Sequence, residues 1–345
     1  VTLTGPGGTG KTRLALRAGA EVIERFRDGV WFVDLASITD PDLVPSAIAE
    51  TLGLKDPSGP PLLSLARYLS DKEMLLVLDN FEQVPGASPH ISRLLREAPM
   101  LRVLVTSRAA LHLYGEQELP VPPLEVPPIG SRLSVGVVSG FSGVGLFVDR
   151  ARAVQPAFAV TEANASAVAT IAYRLDGLPL AIELAAARVK VLNPEAILAR
   201  LGQALTLLSS GAGDLPARQQ TLRGAISWSY HLLTPLECRL FERMAVFMGG
   251  ATVEAIEAVC GPAEELGGPV LDGLARLVDH SLVVLDPEGA RFRMLETIRE
   301  FALERLEDGA EAGLLRRRHA EALLAIAEEA APHPPAAIRH SGSTA

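Results

Sequence analysis

The stretch Gly5-Pro6-Gly7-Gly8-Thr9-Gly10-Lys11-Thr12 constrains this chain more than any other. It has the spacing G-x-x-x-x-G-K-[ST]. It follows a β-branched run, Val1–Thr4, and precedes a helical pattern that opens at Arg13-Leu14-Ala15-Leu16. A strand, a glycine-rich turn and a helix in that order let backbone amides converge on phosphate oxygens at the positive end of the helix dipole. In such a loop the Lys11 ammonium reaches the β- and γ-phosphates of a nucleotide, and the Thr12 hydroxyl helps to hold Mg²⁺. The expected nucleotide-binding set is therefore Gly5, Pro6, Gly7, Gly8, Thr9, Gly10, Lys11 and Thr12, with Arg13 directly behind. The plainer reading, a turn before an ordinary helix, leaves the Lys-Thr pair at this spacing without a reason.

Residues 1–122 alternate strand-like and helix-like patterns, which predicts an α/β fold with a parallel sheet covered on both faces. Strands are expected at Val1–Thr4, Gly29–Leu35, Met74–Asp79 and Leu101–Thr106, with a fifth at Glu118–Val121. Helices are expected after the loop to about Phe26, from Asp40 or Asp42 to Leu52, at Leu62–Leu69 and at Ser88–Glu97. Met74-Leu75-Leu76-Val77-Leu78-Asp79 is a continuous apolar run that ends in a carboxylate. An acid at the end of a buried strand is the usual Mg²⁺ partner of a phosphate loop, so Thr12 and Asp79 form the expected metal pair, against the plainer reading of a strand-end Asp that starts a turn. Arg108 follows the fourth strand at once. There it either senses a γ-phosphate from the crevice or faces solvent, and spacing alone does not separate the two.

Bulk properties exclude several classes. The 345 residues carry a formal charge of −9, against the basic excess that a general nucleic-acid surface needs. Cys238 and Cys260 are the only cysteines, and the seven histidines are scattered. Neither a disulfide framework nor a zinc site is expected, and a reducing, cytoplasmic setting fits. The most apolar low-charge run, 133–148, is short for a membrane span and is interrupted by glycines and serines. With no initiator Met and no signal peptide, the chain reads as a fragment.

Beyond the proline-rich linker at Pro120–Pro128 the pattern turns helical. Helices are expected at Leu146–Val154, Glu162–Leu175, Leu180–Val191 and Pro194–Leu201, while residues 129–143 have no clear pattern. A linker at 209–214 leads to helices at Leu222–Leu232, Pro235–Val246, Val253–Val259 and Leu271–His280. A hairpin pairs 281–285 with 291–294, and helices follow at Thr297–Leu306 and 314–331. Three helices and a hairpin make a winged helix. Its candidate recognition segment, Leu266–His280, carries Asp272, Arg276 and Asp279 and no basic face, so it is expected to act as an intramolecular lid rather than on DNA.

Several segments taken together resemble one family, the NB-ARC-like STAND ATPases, and among them the bacterial LuxR- and SARP-type regulator ATPases. The resemblance is carried by Gly5–Thr12, by Leu75-Leu76-Val77-Leu78-Asp79-Asn80-Phe81-Glu82, by Leu104-Val105-Thr106-Ser107-Arg108, by Leu175-Asp176-Gly177-Leu178-Pro179-Leu180-Ala181-Ile182-Glu183-Leu184-Ala185 and by Met294-Leu295-Glu296-Thr297-Ile298-Arg299-Glu300. It implies a P-loop NTPase domain of ASCE-type order, in which the fourth strand lies between the first and third. It further implies that Arg108 is the sensor arginine and that Pro179 packs on or near the adenine, although a proline at a helix start needs no such role. Two departures stand out: the segment that precedes the first strand in the family has no counterpart here, and Leu295 occupies the place of a phosphate-contacting His.

The expected domains are a nucleotide-binding domain at 1–128, a helical lid at 129–208, a winged-helix unit at 209–310, and the start of a helical repeat with a polar tail at 311–345. Full repeats and an output domain are not expected within this segment. Asn80 stands where many ATPases place a catalytic Glu; Glu82 is the nearest acid that could serve as base, although an exposed loop acid is the plainer reading. The catalytic candidates are thus Lys11, Arg108 and Glu82, with ATP/ADP and Mg²⁺ as cofactors. Slow hydrolysis in a regulatory switch, one that the resemblance implies acts on transcription, competes with a phosphoryl-transfer enzyme and with a DNA-binding regulator. The expected partners are nucleotide and either other proteins or a second copy on activation, with no membrane.

Overall fold

The computed structural model describes residues 1–54, 59–128, 134–201, 222–286 and 291–330. The expected linker at 209–214, the start of the unpatterned stretch at 129–133 and the polar tail lie outside them. The first part runs β1 (Thr2–Thr4), α1 (Lys11–Val22), β2 (Val30–Asp34), α2 (Val44–Thr51), α3 (Pro61–Leu69), β3 (Leu75–Asp79), α4 (Ser88–Glu97), β4 (Arg102–Thr106) and β5 (Glu118–Pro120). The five strands form one parallel sheet in the order β2-β3-β4-β1-β5, with β4 between β1 and β3 as expected. Together with the loop before α1, this order makes the fold an α/β P-loop NTPase domain.

β3 explains its own sequence. All five residues are buried, because alternate side chains serve two cores. Leu76 and Leu78 join Ile48, Leu65 and Ile91 beneath α2, α3 and α4. Leu75 and Val77 join Leu3 and Ala15 beneath α1. The register sets Asp34 opposite Asp79, Leu78 opposite Val105 and Leu3 opposite Thr106. The polar ends of four strands therefore share one rim, and the phosphate loop leaves from that rim.

The second part holds α5 (Val135–Val138), α6 (Ser142–Val154), α7 (Ala165–Arg174), α8 (Pro179–Ala187) and α9 (Pro194–Arg200). It continues through α10 (Leu222–His231), α11 (Pro235–Met244), α12 (Val253–Cys260), α13 (Ala263–Leu266) and α14 (Val270–Asp279). The strands β6 (Val284–Leu285) and β7 (Phe292–Arg293) follow, then α15 (Glu296–Asp308) and α16 (Ala312–Ala330). Pro179 starts α8 with its ring at the first helical position, where the missing N–H costs nothing. Thr234 and Glu237 close a capping box at α11. β6 and β7 pair antiparallel, and Ala251 bridges to Phe292, so the wing has three strands' worth of contact.

The segment 266–280, read as one recognition element, is divided. Gly267 takes a left-handed φ of 90° after α13, and Pro269 precedes the start of α14. The Gly267-Gly268-Pro269 turn ends one helix and begins the next. α14 then buries Val270, Gly273, Leu274 and Leu277 at helical spacing. One continuous core runs from Phe147, Ile171 and Ile182 through Ile226 and Phe241 to Ile298 and Phe301. Each such side chain, fully buried, contributes about 1.5–3 kcal/mol.

α16 is tied to this body by charge. The buried Arg243 of α11 donates to Glu311 at 2.8 Å and to the carbonyl of Cys260 at 2.5 Å. Arg318 of α16 grips Glu265 with both guanidinium nitrogens at 2.9 and 3.0 Å. No helix among the described residues is long and apolar enough to cross a membrane.

Candidate functional site

The loop from Gly5 to Gly10 leads into α1 through Gly10, whose φ is 90°, and no side chain caps the helix. The first-turn amides are thereby left to an outside acceptor. Lys11 folds back over the loop. Its Nζ donates to the carbonyls of Gly5 and Pro6 at 2.6 and 3.0 Å. Burial pulls the ammonium down to about 8, against the carboxylate of Glu82, the largest of the charges that support it. Thr9 donates to Pro6 within the loop.

At the rim, Asp79 Oδ1 accepts the hydroxyls of Thr12 at 2.8 Å and Thr106 at 2.5 Å. Asp79 Oδ2 accepts the side-chain amide of Asn80 at 2.7 Å. Burial pushes the Asp79 carboxyl above its usual range, although both hydroxyls hold it down. A dry carboxylate against a threonine hydroxyl at the foot of a phosphate loop is the donor set a hard divalent cation takes. Among the described residues no group of three or more His, Cys, Asp or Glu is placed to hold a metal ion. A cation here would draw its remaining oxygen ligands from phosphate and water.

Arg108, whose place spacing left open, faces the crevice. It is 7% exposed. Its Nε donates to Glu82 Oε1 at 3.2 Å, and a second guanidinium nitrogen donates to the Ser229 hydroxyl of α10. Its own carbonyl accepts the Ser281 hydroxyl at 2.6 Å, just after α14. The arginine thus joins the sheet to α10 and to the turn after α14. Pro6 and Gly7 are covered by Leu178, Ile226, Ser229, Ser281, Leu282 and Ile298 around a gap of about 10 Å³. Beside it, a cleft of about 460 Å³ opens between Gly5, Pro6, Arg108, Val121 and the wing residues Val284 and Arg293. An apolar groove of about 520 Å³ lies at the other ends of the strands and contains none of the candidate site residues.

The helical region closes the loop from the other side. Leu180 N donates to Gly8 O at 3.1 Å. Gly8 has φ 86°, and a Cβ there would meet Leu180 Cβ at 2.8 Å. Pro179 is thus one residue from the loop. Arg13 does not turn into the loop. It is largely exposed and pairs with Glu183 of α8 at 3.0 Å, where Arg150 of α6 joins it. Asp176, in the same turn, accepts the amide of Glu296 at 2.6 Å. Burial pushes the Asp176 carboxyl up to about 7. Leu295 is buried. Sequence reasoning quoted Asp176, Glu183 and Thr106 within motifs and gave them no role; nothing in local spacing marks Ser229 or Ser281.

The structure therefore defines a class: a phosphate-loop α/β domain whose loop is covered by a helical region and by a winged helix. Residues 233–307 match the family described as a winged helix-turn-helix domain. The chain is 42% identical over 331 residues to Rv0890c of Mycobacterium tuberculosis H37Rv, whose name places it among HTH-type transcriptional regulators; the match covers 95% of this chain and 36% of that one. It is 40% identical over 324 residues to the uncharacterized protein Rv0894 of the same organism, covering 92% of this chain and 79% of that one. It is 28% identical over 319 residues to regulatory protein AfsR of Streptomyces griseus, covering 87% and 29%. The chain belongs to the family of Rv0894, and it spans only about a third of the length of Rv0890c.

Proposed function

We propose that this chain is an ATP- and ADP-binding switch of the STAND type, of the NB-ARC-like kind its motifs resemble. On this reading the nucleotide's phosphates lie on Gly5–Thr12, Mg²⁺ is held by Thr12 and Asp79, and Pro179 lies beside the base. The units are 1–128 for nucleotide, 129–208 as helical lid, 209–310 as winged helix and 311–345 as the start of a repeat.

The observation that carries the proposal is the position of Arg108. A buried guanidinium at the end of β4, beside the phosphate loop, is engaged by Ser229 of the winged-helix region and by Glu82. A γ-phosphate competes for that guanidinium, and ADP has none to offer. Nucleotide then biases the docking of the winged helix by its different affinity for the closed and opened arrangements. Hydrolysis in such a device is slow and resets the state. The names of Rv0890c and AfsR support a regulatory role for the whole protein, and that of Rv0890c a role in transcription; on this reading the protein acts in the cytoplasm, with signal-dependent self-association or protein contacts as its output.

The test is the nucleotide that co-purifies, followed by calorimetry with ADP and ATP on wild type and Lys11→Ala. Wild type should bind both, and Lys11→Ala neither. ATP binding by Lys11→Ala at wild-type affinity would sink the proposal. Turnover at about 1–100 per second would favour a catalytic phosphoryl-transfer enzyme instead.

The winged helix-turn-helix match favours a second reading, direct DNA binding. The exposed side of α14 presents Leu271, Asp272 and Arg276, and its C-terminal end faces the P-loop domain, with Asp279 3.9 Å from His112. That surface lacks the basic excess phosphates require. A gel-shift at physiological salt should show no tight complex; a nanomolar complex would establish the second reading.

A further inference from the structure

We propose that Glu82 is the general base for ATP hydrolysis at this site, held idle by its ion pair with Arg108 until a γ-phosphate draws the guanidinium away; this rests on the nucleotide-switch reading above.

Four observations carry it. The Glu82 side chain is 9% exposed, and its Oε1 is engaged by Arg108 at 3.2 Å. Its Oε2 is buried with no hydrogen-bond partner, a condition proteins avoid unless the atom serves something that binds. Its partner Arg108 lines the cleft together with Gly5 and Pro6, which sets the acid beside the loop, and its charge is the leading one that supports the Lys11 ammonium. Finally, the residue in the customary position of the base is disqualified: Asn80 cannot take up a proton, and its amide donates to Asp79 at 2.7 Å and to Asp34 at 3.3 Å.

The backbone explains how an acid three residues beyond Asp79 returns to the site. Asn80 takes a left-handed conformation, φ 60° and ψ 42°, and a single 3₁₀ turn follows from Phe81 to Gln83. Phe81 is buried and anchors the turn in the core. Asn80 N donates to Thr106 Oγ1 at 3.0 Å, which pins the turn to β4. Glu82 is thereby carried back over the strand ends to Arg108.

In the step itself Glu82 Oε2 takes one proton from a water molecule. The water oxygen forms a bond to the γ-phosphorus. The bond from that phosphorus to the bridging oxygen breaks, and its electron pair leaves with ADP, giving inorganic phosphate. The Glu82 proton then passes to solvent. The same Arg108 movement that reports the γ-phosphate frees the base, so an ADP-bound chain keeps both groups paired with each other.

The experiment measures ATP and ADP affinity by calorimetry and single-turnover phosphate release for wild type, E82Q and E82D. E82Q should bind both nucleotides within about threefold of wild type, while phosphate release falls by about 100-fold or more, in the range of a lost general base. E82D, which keeps the carboxylate one methylene back, should release phosphate faster than E82Q and retain the acid limb of the wild-type pH–rate profile, which E82Q loses. Wild-type turnover in E82Q overturns the assignment. So does equal loss of ATP and ADP binding in both variants, E82D no faster than E82Q, or a wild type that binds ATP and never releases phosphate. A wild type that binds neither nucleotide overturns the switch reading as well, which separates the two failures.

Discussion

The carboxylate of Asp176 accepts the backbone N–H of Glu296 at 2.6 Å across 120 residues of sequence. α15 has no side-chain cap of its own at Leu295, so the helical region supplies one to the winged-helix region. Glu296 and Arg293 are the charges that act on this carboxylate, and Thr297 donates a second backbone N–H.

This contact depends on pH in a defined direction. The carboxyl titrates at about 7 in the folded chain against an ordinary 3.8. The folded state therefore holds the extra proton, and the stability linked to it is complete below about pH 4 and is lost as pH rises through 7. Asp176→Asn, a neutral isostere, lacks this dependence. From pH 6 to pH 8 wild type should lose about 1.4 kcal/mol relative to Asp176→Asn, read from denaturant midpoints at the two pH values. Asp176→Ala, with no acceptor, should lose about 0.5–2 kcal/mol at either pH. A wild-type and Asn pair that tracks together from pH 6 to 8 would refute the linkage.

Lys11 provides a second pH prediction. Its ammonium is pulled to about 8 in the nucleotide-free site, and phosphate beside it restores the charge. Nucleotide binding should therefore take up a proton above pH 8, and affinity should fall as pH rises from 8 toward 10. Calorimetry at pH 8.5 in two buffers of different ionisation enthalpy measures the uptake directly. Equal observed heats in the two buffers, which mean no proton uptake, would contradict it.

Arg108 and Ser229 separate sensing from docking. Arg108→Ala should leave ADP affinity within a few-fold and weaken the response to ATP; equal loss of both nucleotides would remove the sensor role. Ser229→Ala deletes a hydroxyl that accepts from a charged donor, a bond worth about 1.5–3 kcal/mol. It should raise the hydrogen-exchange rate of α10 about tenfold or more. Unchanged exchange there would mean the hydroxyl does not hold the closed arrangement.

Gly8→Ala should be costly for two reasons. The backbone at φ 86° disfavours any Cβ, and that Cβ would meet Leu180 at 2.8 Å. Together these should destabilise the chain by about 1–3 kcal/mol and lengthen the Leu180–Gly8 contact. Thermal melting checks the first, and protection of the Leu180 amide from exchange checks the second. An Ala variant with wild-type melting would show that the lid is not pressed against the loop.

Much of this site was legible in the sequence because its chemistry is local. Gly5–Thr12 declares a loop through spacing, and Asp79 is exposed by the apolar run before it. The place of β4 between β1 and β3 followed from the family resemblance rather than from any pattern in residues 101–106. Long-range partners were not legible. Ser229 and Ser281 are ordinary helix and turn residues until the fold brings them to Arg108. Arg13, adjacent to the loop in sequence, turns outward to Glu183 because the α1 helix rotates its side chain away from the loop. Glu82 was visible as the nearest acid, but only the left-handed Asn80 carries it back to the rim.

The paired grips of Arg243 on Glu311 and of Arg318 on Glu265 give α16 a mechanical meaning. The helix has 19 residues and is therefore about 28 Å long. Clamped at its base, it behaves as a pointer on a dial. On the switch reading proposed above, a rotation of about 10° in the winged helix would sweep its far end through about 5 Å, the scale of one helical turn.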